Sequence, residues 1–195
     1  MMLRKLYDWT MRMAASRGAE PTLAAVSFAE SSFFPIPPDV LLIPTVIARP
    51  PRWVRIAAVC TIASVLGAFV GYAIGALLFE ALAQPILDAY GAGESFEKLK
   101  AWYGEYGNWA VLGAALTPFP YKVITIFSGA VGMNLLAFAV VSVIGRAARF
   151  FLVAWLCARY GPPVREFIER YLGILTIAFM VLLVGGFYLV RQLAQ

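Results

Sequence analysis

The chain has 195 residues, 62% of them hydrophobic, with a mean hydropathy of +0.78; soluble domains are roughly 45–50% apolar, so an ordinary water-soluble domain is excluded and a single integral membrane domain is expected. The net charge of +5 lies in clusters beside apolar runs, the pattern of a membrane surface and not of a nucleic-acid partner. No histidine is present, which excludes Ser-His and Cys-His nucleophile pairs and the usual His-bearing zinc sites. No enzyme activity, cofactor or metal is expected, and any proton relay must use Asp, Glu, Lys or Tyr. Cys60 and Cys157 lie in separate apolar runs and are expected to be free, buried thiols.

Residues 1–19 place Leu3, Leu6, Trp9 and Met13 at helical spacing among Arg4, Lys5, Arg12 and Arg17. That predicts an amphipathic helix lying in the membrane interface, not a cleaved signal peptide. The apolar stretch 21–48 is broken by "PIPP", Pro35 to Pro38. Its first part, Thr22–Phe34, has 13 residues, or about 20 Å of helix, too short to cross. Proline removes backbone donors, and irregular backbone survives at membrane depth only when buried in protein or lining a wet cavity. The stretch is therefore read as a re-entrant hairpin.

Residues 56–79 are free of charge and long enough to span. Residues 84–108 are acidic on balance and are expected to form a segment on the outer surface. The stretch 109–133, broken by "TPFPYK" at Thr117–Lys122, is read as a second re-entrant hairpin, and 135–158 and 172–190 as two further spans. Basic clusters on both flanks of the first hairpin place both its ends, and the N-terminus, in the cytoplasm. The fold class is thus all-α, with two opposed re-entrant hairpins and three transmembrane helices. A hairpin-plus-span unit repeated with opposite topology is a transporter pattern.

Intramembrane ionisable groups are costly and point to function. They are Glu30, Asp39, Lys122, Arg146 and Arg149. Arg146 and Arg149 share a helix face, turned toward the hairpins. Glu30 and Asp39 flank the proline turn, and a carboxylate held between a neighbouring acid and an arginine can load and release a proton. The plain alternative is a fixed buried ion-pair network. Lys122 is placed to hold a phosphate; its plain alternative is snorkelling into a wet vestibule. Pro35, Pro37, Pro38, Pro118 and Pro120 shape the turns. Gly67, Gly71 and Gly75 form a small-residue stripe for close helix packing, against a hairpin or against a second copy of the chain.

"FAESSFFPIPPDVLLIP", "GAFVGYAIG", "TPFPYKVITIFSGAVGM" and "GRAARFF" together resemble the DedA (SNARE-associated, VTT-domain) superfamily, most closely its YqaA-type branch, over roughly residues 20–160. The resemblance implies a bacterial inner-membrane protein that moves lipids between leaflets. Bacterial members are proposed to return undecaprenyl phosphate to the cytoplasmic face with help from the proton gradient, and eukaryotic relatives are phospholipid scramblases. Glu30 and Asp39 match the family's acidic pair, and Arg146 and Arg149 its membrane arginines. The family's phenylalanine–proline–arginine arrangement at the second hairpin is replaced here by "TPFPYK", and Lys122 cannot give arginine's bidentate grip.

Two functions follow as expectations. One is a flippase or scramblase for a lipid phosphate, with Arg146, Arg149 and Lys122 on the head group and Glu30 and Asp39 exchanging protons. The other is a proton-coupled antiporter of small cations or osmolytes, with the acids as its site.

Overall fold

The structure is a computed structural model that describes residues 18–34, 36–79, 81, 84–85, 93–117 and 119–161. The interfacial helix expected over 1–19 (apart from its last two residues), the span expected over 172–190, Pro35 and Pro118 lie outside the described residues, as does most of 84–92. Among the described residues all regular structure is helical: α1 (Ala19–Ser32), α2 (Asp39–Ala48), a 3-10 turn (Pro50–Arg52), α3 (Trp53–Leu78), α4 (Gly93–Leu116), α5 (Tyr121–Ala130) and α6 (Leu135–Gly161).

Two of these helices are long and apolar enough to cross a membrane: Pro50–Leu78, which is α3 with its leading turn, and α6. The 26 residues of α3 rise about 39 Å, more than the ~30 Å of a hydrocarbon core. Ile62, Leu66, Val70 and Leu77 on α3, and Leu136, Val140, Ile144 and Leu152 on α6, are exposed. Contiguous apolar faces of this kind suit lipid and not water.

The remaining elements are broken where the sequence breaks them. α1 closes with the amides of Phe33 and Phe34 both donating to the Ala29 carbonyl, and α2 restarts behind Pro38. At 14 and 10 residues, neither is long enough to cross. They run antiparallel, because Leu23 near the start of α1 shares a core with Leu42 and Val46 near the end of α2. α5 ends where the chain can reverse cheaply. Gly132 adopts φ 68°, its amide donates to Gly129 O and that of Met133 to Ser128 O, and Asn134 Oδ1 then caps α6 at the Ala137 amide.

One expected boundary differs. The outer segment 84–108 and the hairpin 109–133 meet inside a single helix, since α4 runs unbroken from Gly93 to Leu116. Its first half is polar, with Lys98–Glu94 at 2.8 Å and Lys100–Glu97 at 4.0 Å. Its second half is apolar. A change of composition does not end a helix; the breaker that does is the proline pair after residue 117.

Two apolar cores stack along the molecule. One gathers Leu23, Val46, Ile56, Cys60, Phe150 and Ala154; the other gathers Ala68, Tyr103, Val111, Tyr121 and Phe138. On α3 the change from one core to the other falls at Thr61 and Ser64, and on α6 at Ser142 and Arg146, near the middle of both long helices. A polar layer at mid-height separates the cores.

Candidate functional site

The polar layer is built from Arg146 outward. Its side chain is 1% exposed, which is costly unless the charge is paired and its donors are used. The charge is paired, and the Nε and Nη2 donors are used. Nη2 donates to Glu30 Oε2 at 2.8 Å, and Nε donates to Ser64 Oγ at 2.6 Å. Ser31 ties these partners together, its Oγ donating to Glu30 Oε2 at 3.2 Å and lying 2.7 Å from Ser64 Oγ. The guanidinium carbon sits 4.7 Å from the Tyr121 ring centre and 4.5 Å from that of Phe150, so the cation is held between two aromatic faces. Tyr121 is fixed in turn by its hydroxyl donating to Ser142 Oγ at 2.7 Å.

One helical turn further on, Arg149 joins the two proline breaks. Its Nη2 donates to Asp39 Oδ2 at 2.5 Å, and its Nη1 to the carbonyl of Thr117. Asp39 is the first residue of α2, where the helix dipole favours a carboxylate. Its other oxygen, Oδ1, is buried and among the described residues has no hydrogen-bond partner. This pair is less enclosed than the first, with side chains 15% and 20% exposed.

The two breaks also touch directly. Lys122 Nζ lies 3.4 Å from the Phe33 carbonyl, and Thr125 Oγ1 donates to the Ser31 carbonyl at 3.0 Å. The prolines therefore free backbone carbonyls at Phe33 and Thr117, and cationic side chains from elsewhere in the fold take them up. Pro38 and Pro120 occupy the positions just before α2 and α5, and Pro37 lies in the first turn between α1 and α2.

The glycine stripe lies against both broken pairs. A Cβ on Gly67 would collide with the Phe28 carbonyl of α1, on Gly71 with the Thr125 side chain, and on Gly75 with the Ile126 carbonyl of α5; one on Gly129 would strike the Tyr72 carbonyl in return. Residues 67, 71 and 75 thus face protein inside this chain.

Sequence reasoning placed five ionisable residues near one another, and four of them meet in this layer. Glu30 and Asp39 each take their own arginine. Lys122 lies at the touching point of the two breaks, on a backbone carbonyl, and not beside Arg146. Ser31, Ser64, Thr117, Tyr121 and Phe150 were missed. Ser31 follows Glu30 in "AESS" and offered a signal; Ser64, an isolated serine in a charge-free helix, offered almost none.

The site is spread over α1, α2, α3, α5 and α6, with the carbonyl that ends α4. A family model described as the VTT domain matches residues 36–159, a segment that holds Asp39, Lys122, Arg146 and Arg149. The chain belongs to the VTT-domain, or DedA, family. A protein of Haemophilus influenzae described as uncharacterized is 35% identical over 187 residues, covering 96% of this chain and 97% of its own length. Another uncharacterized protein, from Histophilus somni, is 38% identical, with 92% and 96% covered. Undecaprenyl phosphate transporter A of Staphylococcus aureus is 32% identical over 92 residues, 45% of each chain. No solved structure matches. In this VTT-domain protein the family segment begins just past Glu30, so the Glu30–Arg146 pair links the segment to the helix ahead of it.

Proposed function

We propose that this protein is a membrane transporter of lipid phosphates in the bacterial inner membrane. The family, and the transporter among its relatives, support the transporter class. The observation that carries the finer reading is the mid-height ionic layer, where two acid–arginine pairs join two broken helix pairs between apolar cores. In this reading α1–α2 and the end of α4 with α5 are re-entrant hairpins whose tips meet at the membrane centre, and α3 and α6 cross beside them.

The conformation described is the closed one. Arg146 is buried and held by Glu30 and Ser64, so in this reading no head group reaches it while Glu30 holds it. A proton on Glu30 or Asp39 weakens the corresponding ion pair and leaves an arginine with unused donors in a low dielectric. A phosphate, with its several acceptor oxygens, is the anion that satisfies them. It would enter between the tips, at Lys122 and the exposed edge of Arg149, while its tail stayed in lipid. Return of the carboxylate to the arginine expels it.

The test is movement of undecaprenyl phosphate between leaflets of liposomes containing the purified protein, with and without a pH gradient. Wild type should move the lipid faster with the gradient, and Asp39→Ala and Arg149→Gln should move it no faster than empty vesicles. Gradient-independent movement would make the protein a passive scramblase. Absence of lipid movement, with cation-driven proton flux in the same vesicles, would replace this reading by the small-cation antiporter.

A further inference from the structure

Two buried hydroxyls of the mid-height layer have no part in the transport reading, Ser31 on α1 and Ser64 on α3. Their protons run in one direction. As the ion-pair partner of Arg146, Glu30 only accepts, so the Ser31 proton goes to Glu30 Oε2 at 3.2 Å. A serine hydroxyl has one proton, so the donor in the 2.7 Å contact between Ser31 Oγ and Ser64 Oγ is Ser64. Ser64 Oγ accepts in turn from Arg146 Nε at 2.6 Å, and Arg146 Nη2 closes the ring on Glu30 Oε2 at 2.8 Å. Both ends of this chain of donors arrive at one place, the position of Glu30 Oε2.

The members of the ring are held by different means. α1 is seated on α3 by contacts that do not involve Glu30. Ser27 Oγ donates to the Cys60 carbonyl at 2.8 Å, Ser32 Oγ lies 3.0 Å from the Gly67 carbonyl, and Gly67 has no room for a Cβ beneath the Phe28 carbonyl. From the other side Thr125 of α5 donates to the Ser31 carbonyl at 3.0 Å. Arg146 lies between the Tyr121 and Phe150 rings. Glu30 reaches the ring through a flexible side chain with several rotamers. A change of rotamer withdraws its carboxylate and leaves the Ser31 hydroxyl and Arg146 Nη2 aimed at the place it held. A phosphate oxygen at that place would accept the same two bonds, one of them charge-assisted. In the closed form Glu30 Oε2 thus stands in for a phosphate oxygen.

We propose that Ser31 binds the phosphate group of the transported lipid together with Arg146, at the place Glu30 Oε2 holds in the closed form, and that Ser64 is the positioning residue that aligns both donors. This role belongs to the site of the transport reading and rests on it, but binding is measured without movement between leaflets.

The probe is farnesyl phosphate, a short isoprenoid monophosphate, titrated by calorimetry into the full chain in detergent, with farnesol as the uncharged control. Glu30→Gln, which removes the internal anion and keeps its shape, should bind the phosphate about 10-fold tighter than wild type, and farnesol no tighter. On that background Ser31→Ala should weaken binding about 10-fold and Ser64→Ala about 5-fold, the scale of a hydrogen bond to a charged group. Ser64→Thr, which keeps the hydroxyl, should restore it. Ser27→Ala removes a buried hydroxyl from the same helix contact outside the ring, and should leave binding unchanged. Equal weakening by Ser27→Ala would show that α1 had merely loosened and would overturn the assignment, as would full binding in Ser31→Ala. Ser64→Thr binding as weakly as Ser64→Ala would overturn the positioning role. Glu30→Gln binding no tighter than wild type would overturn the shared place of carboxylate and phosphate. Binding as expected in a protein that moves no lipid in liposomes would remove the transport reading and leave the phosphate site standing. If Glu30→Gln does not fold, Glu30→Asp, whose shorter side chain also withdraws the carboxylate, takes its place in the same series.

Discussion

Arg146 carries its charge at the centre of an apolar fold because Glu30 and Ser64 hold one edge of its guanidinium and Tyr121 and Phe150 lie on its faces. Removing one partner of such a pair leaves the other buried and uncompensated, at about 3–5 kcal/mol. Arg146→Leu should therefore lower unfolding stability in detergent by about that amount. Glu30→Gln with Arg146→Leu should cost less than the two single changes combined, by roughly 0.5–3 kcal/mol; strict additivity in that cycle would show that the pair is not coupled. Asp39 behaves differently. Among the described residues its Oδ1 has no hydrogen-bond partner, and its side chain is 20% exposed against 11% for Glu30. Asp39→Asn, a mimic of the protonated acid, should leave the protein folded while abolishing the response of lipid movement to a pH gradient. Retention of a full gradient response in this variant would exclude Asp39 as the proton carrier. The ionisable residues were legible in the sequence because charge in an apolar run is conspicuous. Their pairing was not, since Glu30 and Arg146 are 116 residues apart and either acid could serve either arginine.

The long helix α3 is the element on which both broken pairs rest, and its glycines decide how closely. Gly67 and Gly75 each face a backbone carbonyl that cannot swing aside as a side chain tip would. Gly67→Ala and Gly75→Ala should each destabilise the protein by about 1–3 kcal/mol, the usual cost of overpacking. Gly104 and Gly113 on α4 have open space where a Cβ would go. Alanine at either should instead stabilise by about 0.5–1 kcal/mol, because glycine is the poorer helix former. Thermal unfolding of the four variants checks both signs, and equal behaviour across the two helices would remove the packing role of the stripe. The glycine spacing was visible in the sequence, but its partner was open between a hairpin and a second copy, because GxxxG spacing serves either. The continuity of α4 was misread for a physical reason: polarity sets which medium a helix faces, whereas proline and caps set where it stops.

At the scale of the whole molecule, two broken pairs meet tip to tip and α6 fastens both, through Arg146 to α1 and through Arg149 to both breaks. If transport proceeds by parting of the tips, tethering them must stop it. Phe33→Cys with Val123→Cys, both at exposed positions of the two breaks, in a background with Cys60→Ala and Cys157→Ala, should lose lipid movement when linked by a short bifunctional maleimide and regain it if the linker is then cleaved. Undiminished movement in the linked protein would place the pathway elsewhere. By itself the sequence determined the membrane class, the positions of the helix breaks and the roster of charged residues, because hydropathy, proline and charge act locally on the chain that carries them. Only the tertiary structure decided which acid meets which arginine, that the serines and aromatic rings complete the layer, and that Arg49, Arg52 and Arg55, around the start of α3, share a cleft with Glu20. Those are contacts between segments far apart in sequence, and packing alone selects them.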